Sequence, residues 1–161
     1  VYQTIANNGV QLKPTVVDRF VTYNGKVEVN QPKISRKLNV SQKTIKLLQN
    51  ALRLPVIGSG GTAKLLRING YPVSAKTGTA QNSGFGDNHS WMAGYFPSDK
   101  PQIVFVSIVE GGGYGGVASG EMAKVFINKY REKYVLKVKP ENKNDKKQDG
   151  KNQGNKNNKK G

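Results

Sequence analysis

No cysteine occurs in the 161 residues, so disulfide staples and thiol nucleophiles are excluded. A single histidine, His89, and only ten acidic residues argue against a metal site built from ordinary ligands, and no metal is expected. A Ser-His-Asp system would have to use His89 with Ser90 and Asp87. Neighbours on a strand point to opposite faces, so His89 and Ser90 cannot easily meet, and His89 reads as a structural polar residue opening a strand. No apolar run of roughly 18 residues is present, and no signal peptide. That pattern would ordinarily mean a soluble cytosolic protein. Here, however, the chain opens on Val1, and Val1–Gly9 reads as the end of a helix stopped by Asn and Gly. An N-terminally truncated piece is expected, from which a membrane anchor could have been lost.

Acids are scarce beside 26 basic residues, and the formal net charge is +16. From Lys137 onward the chain is almost entirely Lys, Asn, Gln, Gly and Asp, with nine Lys against three acids. Such a segment cannot offset its ordering entropy by burial, so 136–161 is expected to be a disordered tail and 1–135 the folded part. The tail carries +6 of the charge and the body the remaining +10. The body's charges are dispersed, without the basic stripe or interleaved aromatics of a nucleic-acid binder, so no specific nucleic-acid partner is expected. The tail reads as a solvated linker, with binding to an acidic polymer or anionic lipid as the alternative.

Along the body, Asn24-Gly25 between β-rich runs (15–23 and 26–31) predicts a hairpin whose central residues both adopt positive φ. Ser41 predicts an N-cap for a helix running to Leu54 and closed by Pro55. Gly58-Ser-Gly-Gly-Thr62 reads as a turn. Strands are expected over 73–80, 89–96 and 103–109, the last apolar enough to be covered on both faces. A helix over 117–134 follows, with Ala118, Met122, Val125, Phe126 and Tyr130 as its apolar stripe. The fold class is α+β, an antiparallel sheet with packed helices.

Gly111-x-Gly-x-x-Gly116 matches a dinucleotide fingerprint in letters only. No second parallel strand follows, so a flexible rim loop is the better reading and no cofactor is expected. Trp91, Tyr95 and Phe96 read as sheet core. What remains is Lys76-Thr77-Gly78-Thr79, which puts an ammonium, two hydroxyls and a bare glycine on consecutive positions of a strand. That arrangement suits an edge built to receive an anionic peptide carboxylate beside a reacting carbonyl. No Ser-x-x-Lys and no Ser-x-Asn accompany it anywhere in the chain.

The run Gly70-Tyr-Pro-Val-Ser-Ala-Lys-Thr-Gly-Thr-Ala-Gln81, then His89-Ser-Trp-Met-Ala-Gly-Tyr-Phe-Pro97, an apolar strand and a terminal helix, resembles the C-terminal half of penicillin-binding protein transpeptidase domains. Lys-Thr-Gly is a signature of that group, together with Ser-x-x-Lys and Ser-Asp-Asn. Ala6-Asn-Asn-Gly-Val10 and Glu110–Gly116 make it most similar to the class B, elongation-type branch (penicillin-binding protein 2), with the division-type branch nearest beside it. The resemblance spans roughly Tyr2–Tyr134 and implies the C-terminal part of the serine β-lactamase/transpeptidase-like fold. It implies a peptidoglycan D,D-transpeptidase that cross-links stem peptides through a serine acyl-enzyme and is acylated by β-lactams. By that likeness Lys76 and Thr79 are catalytic, Thr79 giving a backbone N–H to the oxyanion hole. Thr77, Gly78 and Thr79 bind substrate, the two hydroxyls holding its carboxylate. The implied partners are stem peptides, β-lactams and the cell-wall elongation machinery. The implied location is the cell inner membrane, with the domain on the periplasmic or extracytoplasmic side. Lacking the nucleophile, the chain alone is expected to be inactive. A β-lactamase or D,D-carboxypeptidase relative and a non-catalytic wall-binding fragment are the alternatives.

Overall fold

The computed structural model describes residues 1–82, 84 and 86–136, so the expectation of a disordered tail falls almost wholly outside the described residues. The chain divides into a first compact unit, Val1–Asn128, and a second that begins at Lys129. Among the described residues, the first unit carries three antiparallel sheets. β5 (Ser74–Ala80), β6 (His89–Phe96) and β7 (Ile103–Val109) form the principal one, in the order β5-β6-β7. β1 (Val10–Leu12) pairs with β4 (Ile34–Lys37), and β2 (Arg19–Val21) with β3 (Val27–Val29).

α1 (Tyr2–Ala6) ends as its residues dictate, with Asn8 at φ 53° and Gly9 at φ 87°. The β2–β3 hairpin forms where Asn24-Gly25 predicts it, but only Gly25 takes a positive φ (79°). Gly25 N–H donates to Thr22 O (2.8 Å) and Thr22 N–H to Lys26 O (2.9 Å). The connection is therefore the longer kind, in which glycine alone must be left-handed. Ser41 caps α2 (Gln42–Ala51), its Oγ accepting from Thr44 N–H at 3.1 Å. Pro55 does not close this helix. α2 stops at Ala51, and Pro55 lies in the first turn of α3 (Leu54–Ile57), where a missing N–H costs nothing.

α4 (Ala118–Tyr130) crosses one face of the main sheet. Its buried residues within the first unit are Ser119, Gly120, Ala123 and Ile127, whereas Met122, Val125 and Phe126 stay about half exposed. The buried stripe is thus displaced by one or two positions from the expected one. Close approach explains this. A Cβ on Gly120 would stand 3.1 Å from Met92 Cε, and Ser119 Oγ hydrogen-bonds Ser90 Oγ at 2.8 Å in the buried interface. Small residues let the helix reach the sheet, and the large ones flank it. Phe126 still reaches the Phe96 ring, 6.1 Å between centroids.

Tyr95 and Phe96 are fully buried, as expected of sheet core, while Trp91 keeps 38% exposure. β7 departs from expectation. Phe105 is buried on the α4 side, but Val104, Val106 and Ile108 are 38%, 59% and 44% exposed. α1 reaches that face of β6 and β7 but leaves these residues exposed, so β7 alternates rather than lying covered on both sides.

Candidate active-site wall

Lys76-Thr-Gly-Thr79 occupies the middle of β5, the edge strand beside β6. Lys76 lies opposite Ala93, Thr77 opposite Met92, Gly78 opposite Trp91 and Thr79 opposite Ser90. Pleating divides the motif. Lys76 and Gly78 lie on the open face with Trp91 and Ala93, and Thr77 and Thr79 on the α4 face with Met92 and Ser90.

Hydrogen-bond direction follows from the same register. In an antiparallel strand, the N–H and C=O of one residue leave on the same side, and sides alternate along the chain. Ala75 N–H leaves the sheet, donating to Leu52 O at 2.9 Å. The N–H groups of Thr77 and Thr79 therefore leave on that outward side, away from β6. Lys76 Nζ folds along this edge and donates to Thr77 O at 2.8 Å.

Both hydroxyls are engaged by segments distant in sequence. Thr77 Oγ1 lies 2.8 Å from Thr62 Oγ1. Thr79 Oγ1 accepts Gly115 N–H at 2.7 Å. The Gly111–Gly116 loop, expected to be flexible, is instead hydrogen-bonded along its length and closely packed at its Gly115–Gly116 end. A Cβ on Gly115 would strike the Gly78 carbonyl oxygen, and one on Gly116 would come within 2.7 Å of Thr77 Cγ2 and 2.9 Å of Thr62 O. Its other end is pinned as well. Gly111 N–H donates to His89 Nδ1 (3.1 Å) and Gly113 N–H to Asn88 O (2.9 Å). His89 thus opens β6 as a structural acceptor, while Ser90 lies buried under α4, so the two form no catalytic pair.

Two open apolar grooves meet at Lys76. One, of about 460 Å³, is lined by Tyr2, Gly78, Ala80, Trp91, Ala93 and Val106 beside it. The other, of about 760 Å³, is lined by Tyr2, Leu48, Leu54, Gly60 and Thr62 as well as Lys76. Among the described residues no group of three His, Cys, Asp or Glu is arranged to hold a metal ion, and no helix is long and apolar enough to cross a membrane.

The geometry therefore joins an ammonium, two outward N–H groups and two oriented hydroxyls along one strand edge. Sequence reasoning singled out all four motif residues. It missed Thr62, Gly115 and Gly116, although both of their glycine-rich segments were visible. Glycine clusters mark close backbone approach as well as turns, and what they approach is a tertiary fact.

A strand-edge wall of this kind on an α+β scaffold defines a class, and comparison with known proteins supplies the family. Residues 1–128 match the family of the penicillin-binding protein transpeptidase domain, and the chain belongs to it. Penicillin-binding protein H of Bacillus subtilis is 32% identical over 120 residues, covering 65% of this chain and 16% of that protein. Penicillin-binding protein PbpB of Mycolicibacterium smegmatis is 33% identical over 116 residues, covering 64% of this chain and 18% of that protein. The chain thus spans about a sixth of the length of these curated relatives. Among solved structures, the D,D-transpeptidase domain of a peptidoglycan glycosyltransferase from Eggerthella lenta superposes with a TM-score of 0.68 at 29% identity. It covers 83% of this chain and 31% of that one. Penicillin-binding protein 2B of Streptococcus pneumoniae strain R6 shares the fold, with a TM-score of 0.60 at 23% identity, covering 83% of this chain and 24% of that one.

Proposed function

We propose that this chain forms one wall of the cleft of a serine D,D-transpeptidase, with the nucleophilic serine and its lysine supplied by residues outside these 161. The observation that carries the reading is the outward N–H of Thr79 on an edge strand whose two threonine hydroxyls are oriented by neighbours. In the reaction, the serine attacks the penultimate D-Ala carbonyl of a stem peptide. The carbonyl oxygen gains negative charge and is met by Thr79 N–H together with the serine's own N–H. A preorganised donor of this kind contributes about 3 kcal/mol of transition-state stabilisation. Terminal D-Ala leaves, and an amine of a neighbouring stem takes the acyl group. Before that, the substrate's terminal carboxylate, which only accepts hydrogen bonds, is held by the Thr77 and Thr79 hydroxyls. Lys76 adds positive charge at the strand edge, and Gly78 leaves the edge clear for an extended peptide. β-Lactams carry a carboxylate beside a reactive carbonyl and acylate the same serine.

The order Ala6-Asn-Asn-Gly-Val10 and the Glu110–Gly116 loop support the elongation type, acting with the elongation machinery on the outer side of the cytoplasmic membrane and held there by an N-terminal anchor. Depleting the full-length protein should give rounded, widened cells. Filaments with blocked septa would assign it to division instead.

The central test is labelling with fluorescent penicillin. The full-length protein should give a covalent band that unlabelled penicillin competes away, and the 161-residue chain alone should give none, because without a nucleophile there is no acyl-enzyme. A specific band from the isolated chain would sink the reading.

A further inference from the structure

Thr62 stands outside the Lys-Thr-Gly-Thr motif, yet its hydroxyl is the one that meets Thr77. We propose that Thr62 is a positioning residue for carboxylate recognition: it donates its hydroxyl hydrogen to Thr77 Oγ1 and so leaves the Thr77 O–H free to donate to the bound carboxylate. This rests on the transpeptidase-wall reading above and extends it to a residue fifteen positions upstream of Thr77.

A pair of hydroxyls sharing one hydrogen bond uses one hydrogen and releases the other. The Lys76 ammonium decides which. Nζ lies 3.5 Å from Thr77 Oγ1, and an ammonium has donors only, so its charge favours turning the Thr77 lone pairs inward and its hydrogen away. Thr62 then gives the shared hydrogen. Thr79 is arranged in the same sense by a different device, since its oxygen already accepts Gly115 N–H. The outcome is two hydroxyls, two residues apart on one strand face, each with an oxygen occupied and a hydrogen available. A carboxylate requires two such donors. Without Thr62, the Thr77 hydroxyl is free to turn onto a nearby backbone carbonyl, the usual competitor for threonine hydroxyls, and ceases to be a donor.

Thr62 is itself held firmly. Arg67 donates through Nε to Val56 O (2.7 Å) and through Nη2 to Ile57 O (2.7 Å) and Gly58 O (2.8 Å), tying down the end of α3 from which the Gly58–Thr62 loop departs. Ala63 N–H donates to Pro55 O at 2.8 Å. A Cβ on Gly61 would strike that same Pro55 oxygen, and Gly116 packs against Thr62 O and Thr77 Cγ2 together. The glycines that read as a turn in the sequence deliver one hydroxyl to the motif.

The test compares acylation of the full-length protein by benzylpenicillin and by its neutral methyl ester, expressed as the ratio of second-order rate constants. The ratio is taken within one protein preparation, so a variant that folds only in part still yields it. Thr62→Val should lower the carboxylate-to-ester ratio about tenfold, as expected for loss of one charge-assisted hydrogen bond. Thr77→Val should lower it to the same degree, and Thr62→Ser should restore the parent value. Thr62→Ala serves where valine does not fold. A Thr62→Val or Thr62→Ala ratio equal to the parent's, while Thr77→Val lowers it, removes the role of Thr62 and leaves the wall intact. A parent that reacts with neither compound, or with both alike, removes the carboxylate wall and this inference with it.

Discussion

Thr77 and Thr79 are ordinary residues whose chemistry is set by what touches their oxygens, and two glycines of one loop make that contact possible. Gly115 and Gly116 lie against Gly78 O, Thr77 Cγ2 and Thr62 O, where a Cβ has no room. Gly111 and Gly113, at φ 61° and 73°, face open space. Substitution should separate these two classes. Gly115→Ala should displace loop or strand and lower penicillin acylation of the full-length protein on the order of a hundredfold, the scale of a small misplacement at a reacting centre. Gly113→Ala strains only its own backbone, at about 1–2 kcal/mol, and should leave the acylation rate within a few-fold of the parent. Equal rates for the two variants would mean that the loop does not position the strand. The sequence showed four motif residues and both glycine clusters. It could not show that the clusters converge on the motif, because proximity between residues 62, 77 and 115 is created by chain packing.

At the scale of elements, register does the work that the motif's order of residues leaves undone. Antiparallel pairing through Thr79↔Ser90 and Ala75↔Gly94 sends the N–H groups of Thr77 and Thr79 outward and splits the motif between two faces. Strand boundaries at 89–96 and 103–109 were legible from turn residues and, for the second, an apolar run, and they match the structure. Which face of the last helix is buried was not legible. Hydrophobicity favours the stripe through Met122, Val125 and Phe126, but contact depth favours Ser119, Gly120 and Ala123. Ile127, fully buried at the far end of that face, should matter most. Ile127→Ala should cost about 2–5 kcal/mol in urea unfolding, whereas Val125→Ala, more than half exposed, should cost well under half as much. Equal losses would return the stripe to its hydrophobic position.

For the molecule as a whole, the open apolar face of the main sheet is the largest departure from the sequence reading. Trp91, Val104, Val106 and Ile108 are each more than a third exposed on one side of β6 and β7. An apolar dye should therefore bind the 161-residue chain, and Val106→Lys should weaken it without unfolding the protein. Dye binding unaffected by that change would place the exposed surface elsewhere. On the opposite side of the pH scale, burial pushes the Tyr95 hydroxyl above its ordinary value of 10.0. The folded state holds that proton more tightly than the unfolded one, so the contribution is fully present below pH 10 and is lost as pH rises through the folded value. Burial raises Tyr2 as well, so tyrosinate absorbance should show late-titrating groups, of which Tyr95→Phe should remove one.

The order of residues by itself determined the elements: the capped helix at Ser41, the Asn24-Gly25 hairpin, three strands with their turns, and a strand carrying lysine–threonine–glycine–threonine. These are local matters, governed by backbone preference and by periods of two and 3.6. Tertiary structure decided the rest, namely the buried face of α4, the exposure of β7, and the convergence of Thr62 and Gly115 on Thr77 and Thr79. Hydroxyl direction is a property of contacts between distant segments, and no local pattern encodes it.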